Sequence, residues 1–437
     1  MPLNPANTPS EFDFYLGMLR VQALMIQAEM NSPARDVAQA HGLQIIEVQP
    51  KCEAEAGAFT LIGTNSPYSG IPPCVKPDDV AFVMHTSGTT SRPKSVPLTH
   101  ANVCSAADQA RVALALEKND RYLNVLPLFH VGGLSGLLAS LIAGASVVCA
   151  PDFQPSKFFD WLAEFRPTWY MGVSVIHQAI LAQAPAHREL IACCPLRFIR
   201  SPAAVLSPKV HAALESTFKV PVLTSYGVTE AMMVACNPLP PRVRKPDSVG
   251  LAAGQEVAIM DAAGRLLPAE ETGEVVIRGP NVMRGYENDP EANREAFTHG
   301  WFRTGDQGFL DADGYLFITG RLKELINRGG ETIAPQEVDN VFMEHPGVAQ
   351  AVTVGVPHVR WGEDVVTAVV LHPNASATEQ ELRRFAATRL ATFKVPSRVL
   401  IAESIPTGPT GKPQRRMLAE QLGLTGPAQD QQALDTA

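Results

Sequence analysis

The chain has 437 residues, which is more than one hydrophobic core usually covers, so we expect at least two domains. Hydrophobic residues make up 46% of the chain and charged residues 18%, as in ordinary soluble globular proteins. The net charge of −8 gives no reason to expect nucleic acid or an anionic membrane as a partner.

The cysteines and histidines indicate the redox compartment of the protein and bear on whether it has a metal site. The seven cysteines are an odd number without a Cys-x-x-Cys pair, which favours reduced thiols in a cytoplasmic compartment. The eleven histidines form no His-Glu-x-x-His cluster, so we expect no dedicated zinc site. The sequence also shows no signal peptide and no peroxisomal tripeptide, which again favours the cytoplasm.

The first predicted helix begins near Pro9. Residues Thr8 to Glu11 form a capping box with proline at the first helical position. Further along, residues 131–150 lack charge and have the length of a membrane span. Gly144 divides them, however, which favours an apolar helix followed by a short strand at 145–150.

Apolar runs alternate with helix-like segments in the first half of the chain. This alternation predicts a largely parallel sheet with helices on its faces. The runs lie at 80–84, 122–127, 168–171, 196–200 and 220–224.

The pattern changes after residue 245. Short strands at 274–278 and 315–319, separated by turns at 263–264, 289–290 and 313–314, predict a small antiparallel β subdomain. Helix starts at Pro335 and at the Thr378–Glu381 capping box, with a strand at 351–356, predict a small α+β unit. We therefore expect an α/β fold with a large domain over 1–320, a small C-terminal domain over 321–422 and a disordered tail over 423–437.

Residues 85–100, HTSGTTSRPKSVPLTH, contain a loop suited to binding polyphosphate. Glycine permits close backbone approach, hydroxyls and amides donate hydrogen bonds, and a lysine adds positive charge. A solvated Ser/Thr loop between a buried strand and a helix is the alternative that composition leaves open. The residues concerned are Thr86, Ser87, Gly88, Thr89, Thr90 and Lys94.

This loop resembles the phosphate-binding signature of the AMP-forming acyl-CoA synthetases, the adenylate-forming superfamily that includes luciferases and peptide-synthetase adenylation domains. Four further segments match that family in the expected order, and five ordered motifs are much more specific than one. They are TSYGVTEA at 224–231, WFRTGD at 301–306, GRLKELINRGGE at 320–331 and PTGPTGKPQRR at 406–416.

The resemblance implies a site for ATP, Mg²⁺ and coenzyme A. The loop would hold the β- and γ-phosphates, and Thr224 and Ser225 would belong to the nucleotide site. Tyr226 would pack on the adenine, Thr229 would bond the α-phosphate, and Glu230 would help to hold Mg²⁺.

Residues from the second half of the chain would also contact ATP. Asp306 would accept hydrogen bonds from the ribose hydroxyls, although a bare Thr-Gly-Asp more often stabilises a turn. Arg321 would contact the ribose or phosphate. Lys412 would bridge the substrate carboxylate and the α-phosphate during adenylation.

The family also rotates its small domain between two half-reactions. Lys323 matches the hinge, and Gly329 and Gly330 match the stretch that lines the pantetheine tunnel. His130 in PLFHVGGL matches a residue at the mouth of the acyl pocket, with a half-buried structural histidine as the alternative.

The acid substrate is left open. VPLTH after the loop and NPLPPRVRKPDSVG at 237–250 most resemble the oxalate–CoA ligase branch, which tends to carry Ser-His where this chain has Met232-Met233. Methionine is apolar, so a less polar acyl group is also compatible. Ser95 replaces a usual glycine, at a cost of about 1 kcal/mol if that position needs a positive φ, and Pro202 replaces a Gly or Ser near the adenine pocket.

Three functions remain in contention. The leading one is a carboxylate–CoA ligase that acts on a small carboxylic acid, and oxalate–CoA ligase proper is the first alternative. The second alternative is a truncated nucleotide-binding pseudoenzyme. It is suggested by Ser95 and Pro202, and because family members usually carry several dozen residues before the segment that resembles MPLNPANTPSEFDFYL. A carrier-loading adenylation domain is disfavoured, because little sequence follows Lys412.

Overall fold

The structure is a computed structural model that describes residues 1–19, 21–63, 74–86, 94–202, 206–406 and 414–422. The chain divides into two compact units, Met1–Lys76 and Pro77–Ala437. The expected α/β class, with a parallel sheet, an antiparallel β subdomain and an α+β C-terminal region, is confirmed. The expected domain boundary near Arg321 stays a prediction.

The first unit contains a three-stranded sheet with two helices. The predicted capping box is present, since the Thr8 hydroxyl accepts a hydrogen bond from the Glu11 amide and the Glu11 carboxylate accepts one from the Thr8 amide. The elements are α1 (Pro9–Met18), β1 (Ala23–Gln27), α2 (Ala34–Ala40), β2 (Gln44–Pro50) and β3 (Phe59–Ile62).

The second unit begins with a strand pair, β4 (Val80–Thr86) and β5 (Lys94–Thr99). The expectation that 80–84 is a buried strand in the parallel sheet is corrected in two respects. The pair is antiparallel and separate from that sheet, and within this run only Met84 is buried while Val80 is exposed. The loop that ends at Lys94 therefore leads into a strand, and only afterwards into helix α3 (His100–Ala113).

A seven-stranded sheet forms the centre of this unit. Five strands are parallel in the order β10-β9-β8-β6-β7. Strand β11 extends the sheet antiparallel to β10, and β12 pairs antiparallel with β11. The predicted helix and short strand within 131–150 are confirmed as α4 and β7. The elements are β6 (Arg121–Asn124), α4 (Val131–Ile142), β7 (Ser146–Cys149), α5 (Pro155–Phe165), β8 (Trp169–Met171), α6 (Ser174–Gln183), α7 (Arg188–Cys193), β9 (Phe198–Pro202), α8 (Pro208–Phe218), β10 (Val222–Val228), β11 (Met232–Cys236) and β12 (Leu251–Ala252).

The predicted antiparallel β subdomain is also confirmed. Its strands pair in the order β14-β13-β15-β17-β16, with β18 on β17. The turn expected at 289–290 is instead the start of a helix, because the Asp289 side chain accepts a hydrogen bond from the Ala292 amide as an N-cap. The elements are β13 (Glu256–Met260), β14 (Leu266–Leu267), β15 (Gly273–Arg278), α9 (Pro290–Ala296), β16 (Phe297–Thr298), β17 (Trp301–Leu310) and β18 (Leu316–Arg321).

The C-terminal region has its own five-stranded sheet and its own apolar core. Both predicted helix starts are confirmed, and the strand predicted at 351–356 is the centre of a longer one. The elements are β19 (Ile326–Arg328), β20 (Glu331–Ile333), α10 (Pro335–Met343), β21 (Val348–His358), β22 (Gly362–Leu371), α11 (Glu379–Ala387), β23 (Arg398–Ile401) and α12 (Arg415–Gln421). The predicted tail, 423–437, lies outside the described residues.

Candidate active site

A tight turn joins β10 to β11 and carries two predicted site residues, Thr229 and Glu230. Val228 pairs with Met232 across the turn, and Met232 has a φ of 63°, which closes a three-residue hairpin loop. Gly227 packs so closely on the returning strand that a Cβ atom there would lie 2.2 Å from the Met232 carbonyl oxygen. The turn is therefore fixed by backbone geometry as well as by side chains.

Glu230 is a buried carboxylate held by Tyr286. The Tyr286 hydroxyl donates a hydrogen bond of 2.7 Å to Oε1 of Glu230, and the Met283 amide donates one of 2.8 Å to the Glu230 carbonyl oxygen. Burial raises the pKa of the Glu230 carboxyl above its ordinary value, and the Tyr286 hydrogen bond opposes that shift. The tyrosine thus favours the charged form of a carboxylate that burial disfavours.

The segment around Tyr286 is itself anchored to α3 and to the hairpin. Asn102, in the first turn of α3, donates hydrogen bonds from Nδ2 to the carbonyl oxygens of Pro280 and Val282. Asn281 is fully buried and donates from Nδ2 to the Ala231 carbonyl oxygen at 2.9 Å. The stretch that leads into Tyr286 is therefore fixed relative to α3 and to the hairpin that carries Glu230.

Asp306 lies beside the same hairpin. The Tyr226 hydroxyl donates a hydrogen bond of 2.5 Å to Oδ2 of Asp306, and Nε of Arg321 lies 3.0 Å from Oδ1. Asp306 is on β17, and its strand partner on β18 is Arg321, so sheet register places this pair. Both Asp306 and Glu230 are buried, whereas the Arg321 side chain is about half exposed.

Lys94 reaches the site through Tyr286. Its Nζ atom lies 4.6 Å from the centroid of the Tyr286 ring, and its strand partner across the loop is Thr86. The adjacent Ser95 is in extended strand without a positive φ, so the strain considered for a residue that replaces glycine does not arise. Ser87, Gly88, Thr89 and Thr90 lie outside the described residues.

Thr224 and Ser225 are buried, and their hydroxyls have partners within the protein. Oγ1 of Thr224 donates to the Ser248 carbonyl oxygen at 2.8 Å and accepts from Nδ2 of Asn237 at 2.6 Å. Oγ of Ser225 accepts a hydrogen bond of 3.0 Å from Nε of Arg200. These hydroxyls therefore fix β10 in the sheet, and their predicted contact with nucleotide stays a prediction.

The two residues predicted for the acyl pocket have different surroundings. His130 is the half-buried residue that precedes α4, and its ring centroid lies 5.6 Å from that of Phe129. Met232 is buried in the apolar cluster that contains Val96 and Leu98. Its neighbour Met233 belongs to a different cluster, since successive strand residues face opposite sides of the sheet.

The hinge and tunnel residues follow directly after β18. Lys323 is exposed on a single helical turn, Leu322–Glu324, and Gly329 and Gly330 form the turn between β19 and β20 with φ values of 64° and 96°. Positive φ suits glycine and explains this pair in the sequence. Lys412 lies outside the described residues, which resume at Gln414 just before α12.

Sequence reasoning missed two residues that the structure places at this site. Tyr286 connects Lys94 with Glu230, and Arg200 holds Ser225 beside Tyr226. The Gly-Tyr dipeptide within NVMRGYEN was a usable signal for Tyr286, whereas Arg200 is an isolated arginine in an apolar strand.

Among the described residues, no group of three or more His, Cys, Asp or Glu side chains could hold a metal ion. A site with Glu230 as its one protein carboxylate therefore needs oxygen ligands from a bound substrate or from water. The described helices include none with the length and apolarity needed to cross a membrane.

Comparison with known proteins places the chain in a family. Residues 1–287 match the AMP-binding enzyme family and residues 337–412 match the AMP-binding enzyme C-terminal domain. An oxalate–CoA ligase of Arabidopsis thaliana is 44% identical over 96% of this chain and 82% of its own length. An oxalate–CoA ligase of Saccharomyces cerevisiae is 38% identical, with 96% of this chain and 81% of its own length covered.

A solved structure gives the same result at the level of the fold. The o-succinylbenzoate–CoA synthetase MenE of Bacillus subtilis, in complex with the acyl-adenylate intermediate OSB-AMP, superposes with a TM-score of 0.81 at 30% identity. The match covers 95% of this chain and 82% of that one. The chain therefore belongs to the AMP-binding enzyme family, as one of the adenylate-forming CoA ligases that its motifs predicted.

Proposed function

We propose that the protein activates a carboxylic acid with ATP and then transfers the acyl group to coenzyme A. The observation that carries this proposal is the convergence of four sequence motifs on one site. Tyr226 and Glu230 come from one motif, and Lys94, Asp306 and Arg321 come from three others. Direct contacts join them, through the Tyr226–Asp306 hydrogen bond and through Tyr286.

In the first half-reaction a carboxylate oxygen of the acid attacks the α-phosphorus of ATP. The bond from that phosphorus to the β-phosphate oxygen breaks, pyrophosphate leaves, and a mixed anhydride, the acyl-adenylate, remains. Because both reactants are anions, the protein must neutralise charge and hold them in line. We assign the phosphates to Lys94 with the loop over 86–90, the α-phosphate to Thr229, and the charge between the reactants to Lys412.

The nucleoside would be held by Asp306 and Arg321, on β17 and β18, together with Tyr226 on β10. Asp306 accepts a hydrogen bond from Tyr226 and forms an ion pair with Arg321, and a carboxylate is the acceptor that ribose hydroxyls need. The Tyr226 ring would lie along the adenine, with its hydroxyl already fixed on Asp306. Arg321 would add a positive charge that reaches ribose or phosphate from the edge of β18.

Glu230 fits the requirements of Mg²⁺. This ion usually binds one or two carboxylates together with substrate phosphates and several waters, and Glu230 is a buried carboxylate with one described side-chain partner. When bound with ATP, Mg²⁺ would offset charge on the phosphate oxygens. Tyr286 would keep Glu230 ionised and oriented.

In the second half-reaction the sulfur of coenzyme A attacks the acyl carbonyl carbon. The bond to the adenylate oxygen breaks, and AMP leaves with the electron pair. We assign the hinge for this step to Lys323. We assign the approach of the thiol to Gly329 and Gly330, because glycine has no side chain to obstruct it and tolerates the positive φ of this turn. The seven unpaired cysteines support a reducing, cytoplasmic compartment.

One argument for the pseudoenzyme alternative, the replacement of a usual glycine by Ser95, no longer holds. Ser95 is compatible with its extended conformation, and Lys94, Glu230 and Asp306 retain contacts suited to nucleotide binding. Oxalate–CoA ligase proper gains support from the two relatives of that name. The buried Met232 and Met233 still distinguish this chain from that branch.

The test is carboxylate-dependent release of pyrophosphate from ATP and Mg²⁺. A panel of oxalate, short-chain, long-chain and aromatic acids is supplied, each with and without coenzyme A. Release with one class of acid, together with equimolar AMP and acyl-CoA when coenzyme A is present, supports the ligase. Folded protein that binds ATP but releases no pyrophosphate with any acid would favour the pseudoenzyme instead.

A further inference from the structure

Arg200 is a buried guanidinium without a carboxylate partner among the described residues. It is the third residue of β9 and only 3% exposed. Nε donates one hydrogen bond of 3.0 Å to Oγ of Ser225, whereas the buried Nη1 has no hydrogen-bond partner in the described part of the chain. Tyr122 and Cys236 interact electrostatically with Arg200, but burial raises the pKa of both groups, so both are neutral at physiological pH.

Burying the charged Arg200 guanidinium costs free energy of folding unless a bound anion pairs with it. Buried charges in proteins are normally paired or hydrogen-bonded, since removing an ion from water costs several kcal/mol. Two partly buried arginines obey that rule. Arg328 pairs with Asp364 at 2.9 Å, and Arg415 pairs with Asp339 at 2.7 Å. Arg200 therefore differs from its counterparts in lacking a protein anion.

The position of Arg200 points to the acyl-binding region. Its strand partners are Met171 on β8 and Leu223 on β10, and it lies two residues before β9 ends at Pro202. In parallel α/β sheets, ligands bind beyond the carboxyl ends of the strands. The hydroxyl that holds the guanidinium belongs to Ser225, the residue before Tyr226, so Arg200 adjoins the motif assigned to ATP.

The face of the sheet that carries Arg200 is the one on which α4 packs. Tyr122 lies on this face, and a Cβ atom on Gly136 of α4 would be 2.7 Å from the Tyr122 ring. Helix α4 begins directly after His130, the residue predicted at the mouth of the acyl pocket. Met233 shares this face, whereas Met232 is in the core on the other side. One methionine of the pair, rather than both, therefore lies on the face of the sheet that carries Arg200.

We infer that Arg200 binds a second anionic group on the acid, so that the substrates are short dianionic acids, either dicarboxylates or sulfonated carboxylates. One carboxylate reacts with ATP while the guanidinium pairs with the other anion. Arginine suits this task because its planar fork can donate two parallel hydrogen bonds to a carboxylate or a sulfonate. The inference rests on the proposed ligase function and names its substrate class.

The first experiment compares acids that differ only in the second charge. Oxalate, malonate, succinate and sulfoacetate are each assayed against a monoanionic acid of the same carbon count, with pyrophosphate release as the readout. We expect wild-type kcat/KM to favour at least one dianionic acid over its monoanionic counterpart by about 100-fold or more. Preference for the carboxylate or for the sulfonate identifies which second anion is used.

The second experiment uses Arg200→Met, which keeps an unbranched, largely apolar side chain and removes the charge. We expect kcat/KM for the dianionic acid to fall about 100-fold more than kcat/KM for its monoanionic counterpart. Any change in KM for ATP that follows from loss of the Ser225 hydrogen bond acts on both acids equally and cancels in this ratio. Arg200→Lys should retain part of the preference. Because an unpaired buried charge is removed, the unfolding temperature of Arg200→Met should equal or exceed that of the wild type.

The outcomes separate this inference from the ligase function. A wild type that prefers monoanionic acids, with Arg200→Met unchanged, would overturn the inference and leave the ligase standing. Equal loss with every acid, together with a lower unfolding temperature, would make Arg200 a structural residue and also overturn it. If no acid releases pyrophosphate, the proposed ligase function is wrong, and the anion site is tested by the shift in unfolding temperature that malonate, oxalate or sulfoacetate causes. Stabilisation of the wild type but not of Arg200→Met supports the anion site. Equal shifts in the two proteins reject it.

Discussion

Tyr226 and Asp306 are 80 residues apart in the chain, yet the tyrosine hydroxyl donates a 2.5 Å hydrogen bond to the aspartate carboxylate. Tyr226 stands on the parallel sheet and Asp306 on the antiparallel one, so this bond joins the two sheets at the candidate nucleotide site. Arg321 holds the other carboxylate oxygen at 3.0 Å. The orientation of the carboxylate is therefore fixed from both sides before any substrate is considered.

Tyr226→Phe tests whether that orientation serves nucleotide binding. Loss of a hydrogen bond to a charged group typically costs about 1.5–3 kcal/mol, so kcat/KM for ATP should fall at least about tenfold. The measurement is pyrophosphate release at varied ATP and saturating acid. Tyr315→Phe is the matched control, because the Tyr315 hydroxyl bonds the Val243 carbonyl oxygen instead of a site carboxylate. Equal effects of the two variants on KM for ATP would contradict the assignment.

Tyr286→Phe tests the support of Glu230. The Tyr286 hydrogen bond lowers the pKa of Glu230 while burial raises it, so the variant should raise that pKa further. Activity that needs the carboxylate is lost as the pH falls through this pKa, so the acidic limb of the pH–rate profile should move to higher pH. The Mg²⁺ concentration needed for half-maximal rate should also rise. An unchanged acidic limb and unchanged Mg²⁺ dependence would remove Tyr286 from the site.

Asp339→Asn tests how much the ion pair at the start of α12 stabilises the C-terminal region. Arg415, the first residue of α12, pairs with the buried Asp339 at 2.7 Å and donates to the Thr353 carbonyl oxygen. Breaking a buried ion pair by removing one partner typically costs about 3–5 kcal/mol. Thermal unfolding should show this loss in the variant. Glu337→Gln, which breaks the more exposed pair with Lys394, should cost less than about 1 kcal/mol, and equal losses would refute the distinction.

Lys412→Ala tests the division of labour between the two half-reactions. The lysine is assigned to charge that develops during adenylation, and removal of one such donor typically costs about 100- to 1,000-fold in rate. Pyrophosphate release should fall by that amount. Thioester formation from a supplied acyl-adenylate and coenzyme A should stay within a few-fold of wild type. Similar losses in both half-reactions would contradict the role assigned to Lys412.

The fold was largely predictable because its signals are local. The capping boxes at Thr8 and Thr378, the proline at 335 and the alternation of apolar runs each depend on neighbouring residues, and the structure confirms them. The pairing partner of a strand was harder to predict from the sequence. The run at 80–84 has the apolar character of a buried parallel strand, but it pairs with β5, which follows the predicted phosphate loop.

Candidate site residues could be predicted where they belong to a sequence motif. They could not be predicted where only tertiary contacts bring them to the site. Thr229 and Glu230 were predicted from a motif and lie on one hairpin turn, and their roles stay predictions. Tyr286 acquires its role only because Asn102 and Asn281 anchor its segment beside Glu230, across a long stretch of chain. Arg200 gave no signal at all, because an unpaired guanidinium is recognised by its surroundings and not by its neighbours in sequence.

The most direct test of the central claim is isotope transfer from the acid to AMP. An acid that supports pyrophosphate release is labelled with ¹⁸O in its reacting carboxylate, and the products are analysed by mass spectrometry. Attack of that carboxylate on the α-phosphorus predicts one ¹⁸O atom in AMP and none in pyrophosphate. Label in orthophosphate, or AMP without label, would show that no acyl-adenylate forms and would contradict the account.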